Sequence, residues 1–558
     1  MKTSELAVLH LVAAALIISG TPSAQAQVVS RPVVSGRQAV VTSDEPLASM
    51  AGMRMLQQGG NAFDAAVATA IAIGVLDPRM GSIGGNGFAT VYVAKSREVR
   101  ALNFYGSAPE NATSTIYQGK DYSHGALSVP VPSSLKGFET LHRAYGRLPW
   151  AKVLEPAIDL AENGFLIRQV MIDDMTEYEK ILTEPPSMAK VFRPNGRLPR
   201  AGEVFRQPDL ARTLHAIAEH GANWFYTGPL GVRIVKSVQE NGGVLTTTDL
   251  TNYHAKWVTP VSTTYRGYTF YTQPPSSSGI AVLEQLNMLE GDDLRALGHN
   301  SPAYLHLIGE VIRLAVADRN RYVGDPDFIK VPVDRLLSKS YAADRRRLIH
   351  AESTIPVATA GDSEEPGDKH TTHLNVVDGE GNMVALTQTL GDLFGAGLIP
   401  ADSGVLLSDE MRHLHLDPND PSYLEPGKRS RSNESPIVVL KDGKPFMAIG
   451  TPGSNGIWQR LVQVIANIVD FHMDVQQAVT EPRMKYGGHA ESGSEIRPIF
   501  DVEDRIPADT ADALRKKGYE VRSVKDDYGR VHVIMIDPLT GFRLGGADPR
   551  ESGYALGW

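Results

Sequence analysis

The sequence lacks several features that mark common classes of protein. None of its 558 residues is a cysteine, which excludes disulfides and thiol chemistry and leaves stability to a large apolar core. The net charge is −9 and no basic stripe is present, so we expect no nucleic-acid partner. No linker, internal repeat or low-complexity tract divides the chain. No segment reaches the ~20 consecutive apolar residues that span a bilayer.

The N-terminus has the layout of a secretory signal. Lys2 precedes an apolar run at 6–18, and an Ala-Gln-Ala sequence at 24–26 offers a small-x-small cleavage site. A buried N-terminal helix is the alternative. The pattern predicts a signal peptide at 1–26 and a mature protein in the periplasm or outside the cell, with no membrane contact.

A β-hairpin is predicted about two-thirds of the way along the chain. Two runs of alternating apolar residues, 374–377 and 383–390, flank five turn-forming residues that include glycine. If the residues next to the turn pair, Thr371 falls opposite Thr389. Opposed side chains lie ~4.5–5.5 Å apart at Cβ, so two threonine hydroxyls would meet. The apolar face, which we expect to pack on helices, would carry Leu374, Val376, Val384 and Leu386.

A threonine hydroxyl is a weak nucleophile unless the residue begins a chain. A free α-amino group can then act as its general base, and the reference pKa of such an amine is about 7.7–8.0. This chemistry requires cleavage between His370 and Thr371. From these residues alone, an ordinary half-buried hairpin that contains threonines is the alternative.

Motifs in and around the hairpin resemble those of one known family, the gamma-glutamyltranspeptidase (glutathione hydrolase) family. The resemblance is strongest in the self-cleavage region and extends through almost the whole mature chain. The matching segments of the self-cleavage region are TTH at 371–373, VVD at 376–378, GN at 381–382, TQTL at 387–390, FGAG at 394–397 and DSGVLL at 402–407. Further matches lie at 59–66, 84–88, 274–279, 317–326 and 545–550.

The resemblance implies a fold and a maturation pathway. The fold would be an α+β, four-layer αββα sandwich of the N-terminal nucleophile hydrolase type. Self-cleavage would divide the chain into a large subunit, 27–370, and a small catalytic subunit, 371–558, which remain together as a heterodimer. Thr371 would be the nucleophile, oriented by Thr389, and the substrate would be a small-molecule amide.

The resemblance also implies an oxyanion hole in the glycine-rich loop at 450–456. The family's two backbone donors correspond here to Gly453 and Ser454, just before a helix predicted to begin near Ile457. Helix N-termini carry unpaired N–H groups that suit a developing oxyanion. A backbone donor survives a change of side chain, so the serine does not exclude the function.

Several residues depart from the family pattern where the glutamyl group binds. Tyr105 replaces the arginine that holds the α-carboxylate, and His413 replaces the aspartate that holds the α-ammonium. Charge-assisted hydrogen bonds are roughly twice as strong as neutral ones, so a γ-glutamyl zwitterion would be poorly held. Arg431 or Arg412 could replace the carboxylate anchor. The other positions of this substrate-binding set are Gly391, Glu410, Ser432 and Asn433.

A metal site built on histidines is the remaining chemical alternative. The candidates are His370, His373, His413 and His415. The hairpin alternates faces, and no carboxylate or cysteine is spaced to complete such a site. We therefore predict no metal and no cofactor.

Three classes of function remain open from the sequence. The first is a self-cleaving amidohydrolase or acyltransferase with a changed acyl pocket, similar to the acylase-like relatives in this family. The second is a conventional glutathione hydrolase or γ-glutamyltransferase whose anchors come from other residues. The third is a catalytically inactive binding protein. Retention of Thr371, Thr389 and Gly453 favours the first two, and a panel of chromogenic amides separates all three.

Overall fold

Two antiparallel sheets of seven strands each form the centre of the protein. The computed structural model describes residues 31–355, 371–492, 495–526 and 529–558. In chain order the strands are β1 Val34–Gly36, β2 Val40–Ser43, β3 Asn86–Val93, β4 Glu98–Phe104, β5 Phe165–Leu166, β6 Val204–Phe205, β7 Lys256–Val258, β8 Val261–Tyr265, β9 Tyr268–Thr272, β10 Thr372–Val377, β11 Met383–Thr389, β12 Ile437–Lys441, β13 Lys444–Gly450, β14 Met484–Ser492, β15 Glu495–Glu503, β16 Glu520–Val524, β17 His532–Ile536, β18 Arg543–Ala547 and β19 Tyr554–Gly557.

Each large sheet combines strands from both sides of Thr371. The first sheet has the strand order β1-β18-β17-β13-β12-β9-β8, and the second has the order β19-β2-β10-β11-β3-β4-β7. Strand β10 lies inside the second sheet, between β2 and β11. A break in the chain before Thr371 would therefore leave both sheets held together by inter-strand hydrogen bonds.

The two large sheets stack face to face over an apolar layer. Alternate residues of each strand point into this layer, as the pleat of a sheet dictates. The buried members from the second sheet are Val40, Tyr92, Val377, Met383 and Ala385, and those from the first are Val438, Leu440, Ala448 and Ile534.

Helices cover the outer face of each large sheet, which confirms the four-layer αββα architecture. Two separate apolar cores join the sheets to their helices. The helices are α1 Pro46–Gln57, α2 Ala62–Leu76, α3 Ser114–Tyr117, α4 Ser134–Tyr145, α5 Trp150–Asn163, α6 Gln169–Glu177, α7 Glu179–Thr183, α8 Pro186–Phe192, α9 Pro208–His220, α10 Asn223–Tyr226, α11 Pro229–Glu240, α12 Thr247–Asn252, α13 Gly279–Leu289, α14 Leu294–Leu297, α15 Pro302–Tyr322, α16 Val333–Leu336, α17 Lys339–Arg346, α18 Ile457–Val469, α19 Val475–Thr480 and α20 Ala508–Lys516.

Helix α2 is buried along its whole length, as its uninterrupted apolar composition predicts. Its N-terminus is closed by a capping box. The side chain of Asn61 accepts the N–H groups of Phe63 and Asp64, and Asp64 accepts the N–H of Asn61. A capped, small-residue helix can approach the sheet closely, and α2 packs on the apolar face of the β10–β11 hairpin.

The register of the hairpin is the predicted one. Val377 pairs with Met383 and Thr372 pairs with Gln388, which places Thr371 opposite Thr389. The residues expected on the helix-facing side, Leu374, Val376, Val384 and Leu386, are all buried in the core that contains α2.

Two predicted features lie outside the described residues: the signal peptide at 1–26 and His370. Residues 33–558 form one structural unit, and almost all of the unit that precedes it is also outside the described part. None of the described helices combines the length and apolar character that a membrane span requires.

The core beneath the hairpin provides a test of the fold. Leu374 is completely buried, so Leu374→Ala should lower the free energy of unfolding by about 2–5 kcal/mol through lost contacts and a cavity. Leu539, which is 93% exposed, supplies the control, and Leu539→Ala should change it by less than about 0.5 kcal/mol. Urea titrations at one protein concentration measure both. Equal effects would mean that β10 is not a core strand.

Candidate active site

The hydroxyls of Thr371 and Thr389 meet at the open end of the hairpin. Thr371 Oγ1 donates to Thr389 Oγ1 at 3.2 Å. Thr389 Oγ1 also accepts the backbone N–H of Gly391 at 2.9 Å. Both threonines are buried. Because Thr371 directly precedes a central strand, its hydroxyl is held by a rigid element and not by a surface loop.

The backbone of Thr371 is strained, with a φ of 83°. In the left-handed region the Cβ crowds the chain, so a β-branched residue is a genuine outlier there. Strain of this kind costs roughly 1–3 kcal/mol and persists only where the surroundings impose it. Since φ describes rotation relative to the preceding peptide bond, cutting that bond would release the strain.

Polar side chains on the sheet-facing side of the hairpin satisfy one another. His373 Nδ1 lies 2.8 Å from Thr387 Oγ1, and His373 Nε2 lies 3.0 Å from Asn375 Oδ1. Asn375 Nδ2 donates to the carbonyl oxygen of His532 at 2.9 Å. Burial and the neighbouring His532 lower the pKa of His373 to about 3. This imidazole is therefore neutral and supports the strand instead of serving as a general base.

A buried ionic cluster holds the backbone around Thr371. Arg530 Nη2 donates to the carbonyl oxygen of Thr371 at 3.2 Å, and Arg530 Nε lies 3.3 Å from Asp44 Oδ1. Asp44 also accepts the hydroxyl of Thr372 at 2.8 Å and lies 2.9 Å from His532 Nε2. Burial alone would raise the pKa of Asp44, but Arg530 and His532 hold it well below its usual range. Asp44 is therefore ionised and fixes Thr372.

The loop at 450–456 presents two adjacent backbone donors. Gly453 and Ser454 both have left-handed conformations, with φ of 110° and 48°. Within the described part of the chain, neither backbone N–H donates a hydrogen bond. Neighbouring unpaired N–H groups at the start of a helix are the arrangement that an oxyanion requires.

A series of contacts connects this loop to Thr371. Arg460, in the first turn of α18, donates to the carbonyl oxygen of Gly453 at 2.7 Å. The same arginine packs on Gly529, where an added Cβ would lie 2.2 Å from Arg460 Cδ. The next residue, Arg530, binds the carbonyl of Thr371. The predicted nucleophile and the predicted oxyanion donors thus belong to one buried network.

Tyr105 faces a carboxylate and not a solvent-filled space. Its hydroxyl donates to Glu410, and its ring stacks on Phe88 with centroids 5.2 Å apart. Burial, together with the nearby carboxyl groups of Glu410 and Glu434, raises the pKa of Tyr105 well above its usual range. The phenol is therefore neutral and serves as a hydrogen-bond donor.

Gly391 brings this carboxylate close to the threonine pair. Its φ is 97°, and an added Cβ would lie 1.8 Å from Asp409 Oδ1 and 3.5 Å from Glu410 Oε1. Only glycine fits this position. Because the N–H of Gly391 binds Thr389, the carboxylate of Glu410 lies beside the residue that positions Thr389.

His413 completes a group of sequence-predicted residues around Glu410. Its Nε2 lies 3.8 Å from Glu410 Oε2, and its side chain is 32% exposed. The structure therefore brings Tyr105, Gly391 and His413 together on one carboxylate. The resemblance predicts that these positions bind the acyl group of the substrate.

Ser432 and Asn433 lie on a neighbouring segment that α13 and α15 hold in place. The N–H of Ser432 donates to the carbonyl of Ser276 at 3.0 Å, and its own carbonyl accepts the N–H and hydroxyl of Ser278 at 2.8 and 2.6 Å. Asn433 Oδ1 accepts from Arg319, which also donates to Ser278 Oγ at 2.7 Å. Arg319 thus positions Asn433.

The two arginines considered as replacement anchors have other partners. Arg412 Nη1 lies 2.7 Å from Asp392 Oδ2 and 3.5 Å from Asp409 Oδ2. Arg431 Nη1 donates to the carbonyl oxygen of Asn320 at 3.2 Å. Both guanidinium groups therefore already bind protein atoms, so neither is reserved for an acyl carboxylate.

Among the described residues, the histidines considered as metal ligands do not form one cluster. His373 is buried in the hairpin, His415 pairs with Asp420 at 2.7 Å, and His370 lies outside the described residues. The sequence analysis missed a different group, whose ligand atoms lie within 4.8 Å of one another: His124, Asp392 and Asp409.

The missed group is already neutralised by a cation. Arg412 forms ion pairs with both Asp392 and Asp409, which occupies carboxylate oxygens that a metal would need. Burial raises the pKa of Asp409 to about 6, so this carboxyl is also partly protonated near pH 6. The group is an ion-pair cluster that supports the loop after Gly391.

Comparisons with known proteins give relatives that match almost the whole chain. The family model described as gamma-glutamyltranspeptidase matches residues 48–558. The chain is 36% identical over 530 residues to the glutathione hydrolase-like YwrD proenzyme of Bacillus subtilis, covering 94% of this chain and 99% of that protein. It is 35% identical over 531 residues to the acylase ACY 1 proenzyme of Pseudomonas sp. strain SE83, covering 92% and 93%.

A solved structure shows the same fold. The cephalosporin acylase from Bacillus halodurans superposes with a TM-score of 0.87 at 33% identity, covering 96% of this chain and 99% of that one. The αββα sandwich and the threonine pair define the class as an N-terminal nucleophile hydrolase fold. The chain belongs to the gamma-glutamyltranspeptidase family.

Sequence reasoning did not find several residues of the site. The sequence analysis did not single out Asp44, Arg530, His532 or Glu434 as site residues. Asp44 and Arg530 are far apart in the sequence, and no local periodicity links them. A charged or polar residue flanking an apolar strand is the only signal at these positions, and that signal is common.

Crowding at Gly391 yields a test with a matched control. Gly391 and Gly443 both have positive φ, but an added Cβ at Gly443 meets nothing within 4 Å. Gly443→Ala should cost roughly 1–2 kcal/mol of stability from backbone strain alone. Gly391→Ala adds overlap with Asp409, for roughly 1–3 kcal/mol more. Thermal unfolding of the two variants measures the difference, and equal Tm values would contradict the packing described here.

Proposed function

We propose that this protein is a self-cleaving N-terminal threonine amidohydrolase or acyltransferase that carries its acyl group on Thr371. The observation that carries the proposal is the buried hydrogen bond between the hydroxyls of Thr371 and Thr389 at the start of a central strand. Membership of the gamma-glutamyltranspeptidase family supports it, as do relatives whose names include the word proenzyme.

The first reaction is maturation of the chain. Thr371 Oγ attacks the carbonyl carbon of His370, and the acyl group shifts from nitrogen to oxygen to form an ester. Water then hydrolyses the ester, which leaves a carboxylate on His370 and a free amine on Thr371. The left-handed φ of Thr371 supports this step, because strain in the precursor is released when the peptide bond is cut.

The second reaction is acyl transfer from a substrate amide. The free amine of Thr371 takes the hydroxyl proton while Oγ attacks the amide carbonyl, with Thr389 orienting the nucleophile. The N–H groups of Gly453 and Ser454 bind the oxyanion. The proton passes to the leaving amine, and water or another amine then removes the acyl group from Thr371.

The mature enzyme in this proposal is a heterodimer. The large subunit is 27–370, the small catalytic subunit is 371–558, and the signal peptide at 1–26 directs the protein to the periplasm or out of the cell. The mixed strand order of both sheets supports a stable assembly, because each sheet takes strands from both subunits. No cofactor takes part in these steps.

The acyl pocket favours a group other than a γ-glutamyl zwitterion. Tyr105 is a neutral donor to Glu410, and His413 also faces Glu410, so neither reproduces the charged anchors of the family. An acyl group that is uncharged or carries one charge loses less on entering this pocket.

A conventional glutathione hydrolase or γ-glutamyltransferase is the second candidate. The name of the Bacillus subtilis relative favours it, whereas the name of the Pseudomonas relative favours an acylase. The difference lies in the acyl pocket and not in the nucleophile, so activity toward matched acyl groups separates the two.

Maturation is tested by intact-mass analysis of the purified protein. The wild type should give two chains that begin at Gln27 and Thr371. Thr371→Ala removes the nucleophile and should remain one chain, whereas Thr371→Ser retains a hydroxyl and should still cleave. Thr251, an exposed helical residue, supplies the control, and Thr251→Ala should mature like the wild type. An uncut wild-type chain with full amidase activity would refute the mechanism.

Substrate preference is tested with chromogenic anilides of equal acyl length. The wild type should have a kcat/KM for a γ-glutamyl anilide at least about tenfold below that for a neutral acyl anilide, because two charged anchors are missing. Tyr105→Arg combined with His413→Asp should raise γ-glutamyl turnover. The same exchanges at exposed positions, Tyr554→Arg with His220→Asp, should not. Efficient γ-glutamyl turnover by the wild type would favour the second candidate.

A further inference from the structure

The first residues of β10 lack a neighbouring strand on one side. The ladder between β10 and β11 begins at Thr372, whereas the ladder between β10 and β2 begins only at Leu374. Strand β2 ends at Ser43, which pairs with Leu374. On this side, groups other than a strand must therefore hold Thr371 and Thr372, because backbone polar groups in the interior need partners.

The side chains of Asp44 and Arg530 take the place of the missing strand. Asp44 directly follows β2, and its carboxylate accepts the hydroxyl of Thr372 at 2.8 Å. Arg530 Nη2 donates to the carbonyl oxygen of Thr371 at 3.2 Å. Hydrogen bonds with a charged partner are stronger than those between neutral groups. These two contacts therefore hold the chain at the point where the ladder stops.

The guanidinium group of Arg530 is itself held in a fixed orientation. Its Nη1 lies 2.5 Å from Glu551 Oε2, and its Nε lies 3.3 Å from Asp44 Oδ1. Burial alone would lower the pKa of Arg530, but Glu551 and Asp44 raise it above its usual range. The group is therefore charged, and two carboxylates direct its Nη2 toward Thr371.

The contact with the carbonyl gains importance when the chain is cut. In the proposed function, cleavage removes the peptide bond that precedes Thr371, so this residue becomes a chain end. Chain ends are poorly ordered unless they are tied down. Rotation about the bond from Cα to the carbonyl carbon of Thr371 would displace both its amine and its Oγ. Arg530 opposes this rotation at the carbonyl, and Thr389 holds the hydroxyl at 3.2 Å.

We propose that Arg530 is a positioning residue that keeps Thr371 in the orientation needed for nucleophilic attack, with Glu551 and Asp44 fixing the guanidinium. This inference rests on the proposed function, because it concerns the residue that carries the acyl group. A misplacement of ~1 Å can cost about 100-fold in rate. Arg530 binds the backbone of Thr371 and not the acyl group, so its loss acts on kcat more than on KM.

Arg530→Lys tests this role because it keeps the positive charge. An ammonium group is a point donor and cannot bind Glu551 and the carbonyl of Thr371 with the fork geometry of a guanidinium. The measurement is kcat per cleaved chain, with the cleaved fraction taken from intact mass and with pentanoyl and γ-glutamyl 4-nitroanilides as substrates. We expect kcat for the better substrate to fall at least about tenfold, with KM within about twofold of the wild type.

Arg313 on α15 supplies a matched control. It is also buried, its Nη1 lies 2.7 Å from Glu310 Oε1, and its Nη2 donates to the carbonyl oxygen of Ile355 at 3.0 Å. Arg313→Lys thus alters the same kind of contact outside the sheet that contains β10, and it should leave kcat unchanged. An equal loss of kcat in the two lysine variants would overturn the inference, because a general loss of packing would then explain both.

Glu551→Gln is a second, milder variant. The side chain of Glu551 is 22% exposed, and glutamine keeps an oxygen that accepts from Arg530 but removes the charge. We expect kcat to fall roughly two- to fivefold with KM unchanged. Asp292 is 20% exposed and lies 2.6 Å from Arg346 Nη2, so Asp292→Asn should have no effect on kcat. If Arg530→Lys fails to fold, this second pair decides, and an unchanged kcat in Glu551→Gln contradicts the role.

The outcomes separate this role from the proposed function. A wild type that is cleaved and active, together with an unchanged kcat in Arg530→Lys, would overturn the positioning role and leave the amidohydrolase intact. An Arg530→Lys chain that melts like the wild type but stays uncut would support the role, because the same Oγ attacks in both reactions. If the cleaved wild type hydrolyses neither anilide, slower self-cleavage of Arg530→Lys supports the role and equal self-cleavage overturns it. A wild type that stays uncut and inactive would overturn the proposed function and this role together.

Discussion

The pairing of β10 between β2 and β11 is the constraint on which the site depends. Side chains alternate along a strand, so a slip of one residue would move Leu374 into the polar layer and His373 onto the helices. Such a slip would break the apolar packing on α2 at one face of the strand. It would also break the hydrogen bonds of His373 and Asn375 at the other face. The same register brings the hydroxyl of Thr371 to that of Thr389.

A buried ionic cluster holds the chain next to this strand. Around Asp44, Arg530 compensates the charge of the carboxylate, His532 Nε2 lies 2.9 Å from it, and the cluster holds the backbone of Thr371 and Thr372. A compensated cluster of this kind suits the support of a strand.

In the proposed function, the nucleophile and the acyl pocket belong to different parts of the fold. The proposed nucleophile and the proposed oxyanion donors lie at the end of a strand and the start of a helix, which the fold itself positions. Tyr105 follows β4, Glu410 and His413 lie in a short 3₁₀ helix, and Gly391 connects this group to Thr389. In the proposed function, an exchange of charge at these positions changes which acyl group is bound without moving Thr371.

The sequence by itself determined the layered fold, the hairpin register and the position of Thr371 opposite Thr389, because these follow from local periodicity and turn residues together with a family resemblance. It also indicated the departures at Tyr105 and His413. Only the tertiary structure decided what those residues face. The contact of Tyr105 with Glu410 joins distant parts of the chain, and so does the hydrogen bond from Arg530 to Thr371. Local patterns carry no information on such pairs, because burial and charge balance arise only when the layers pack.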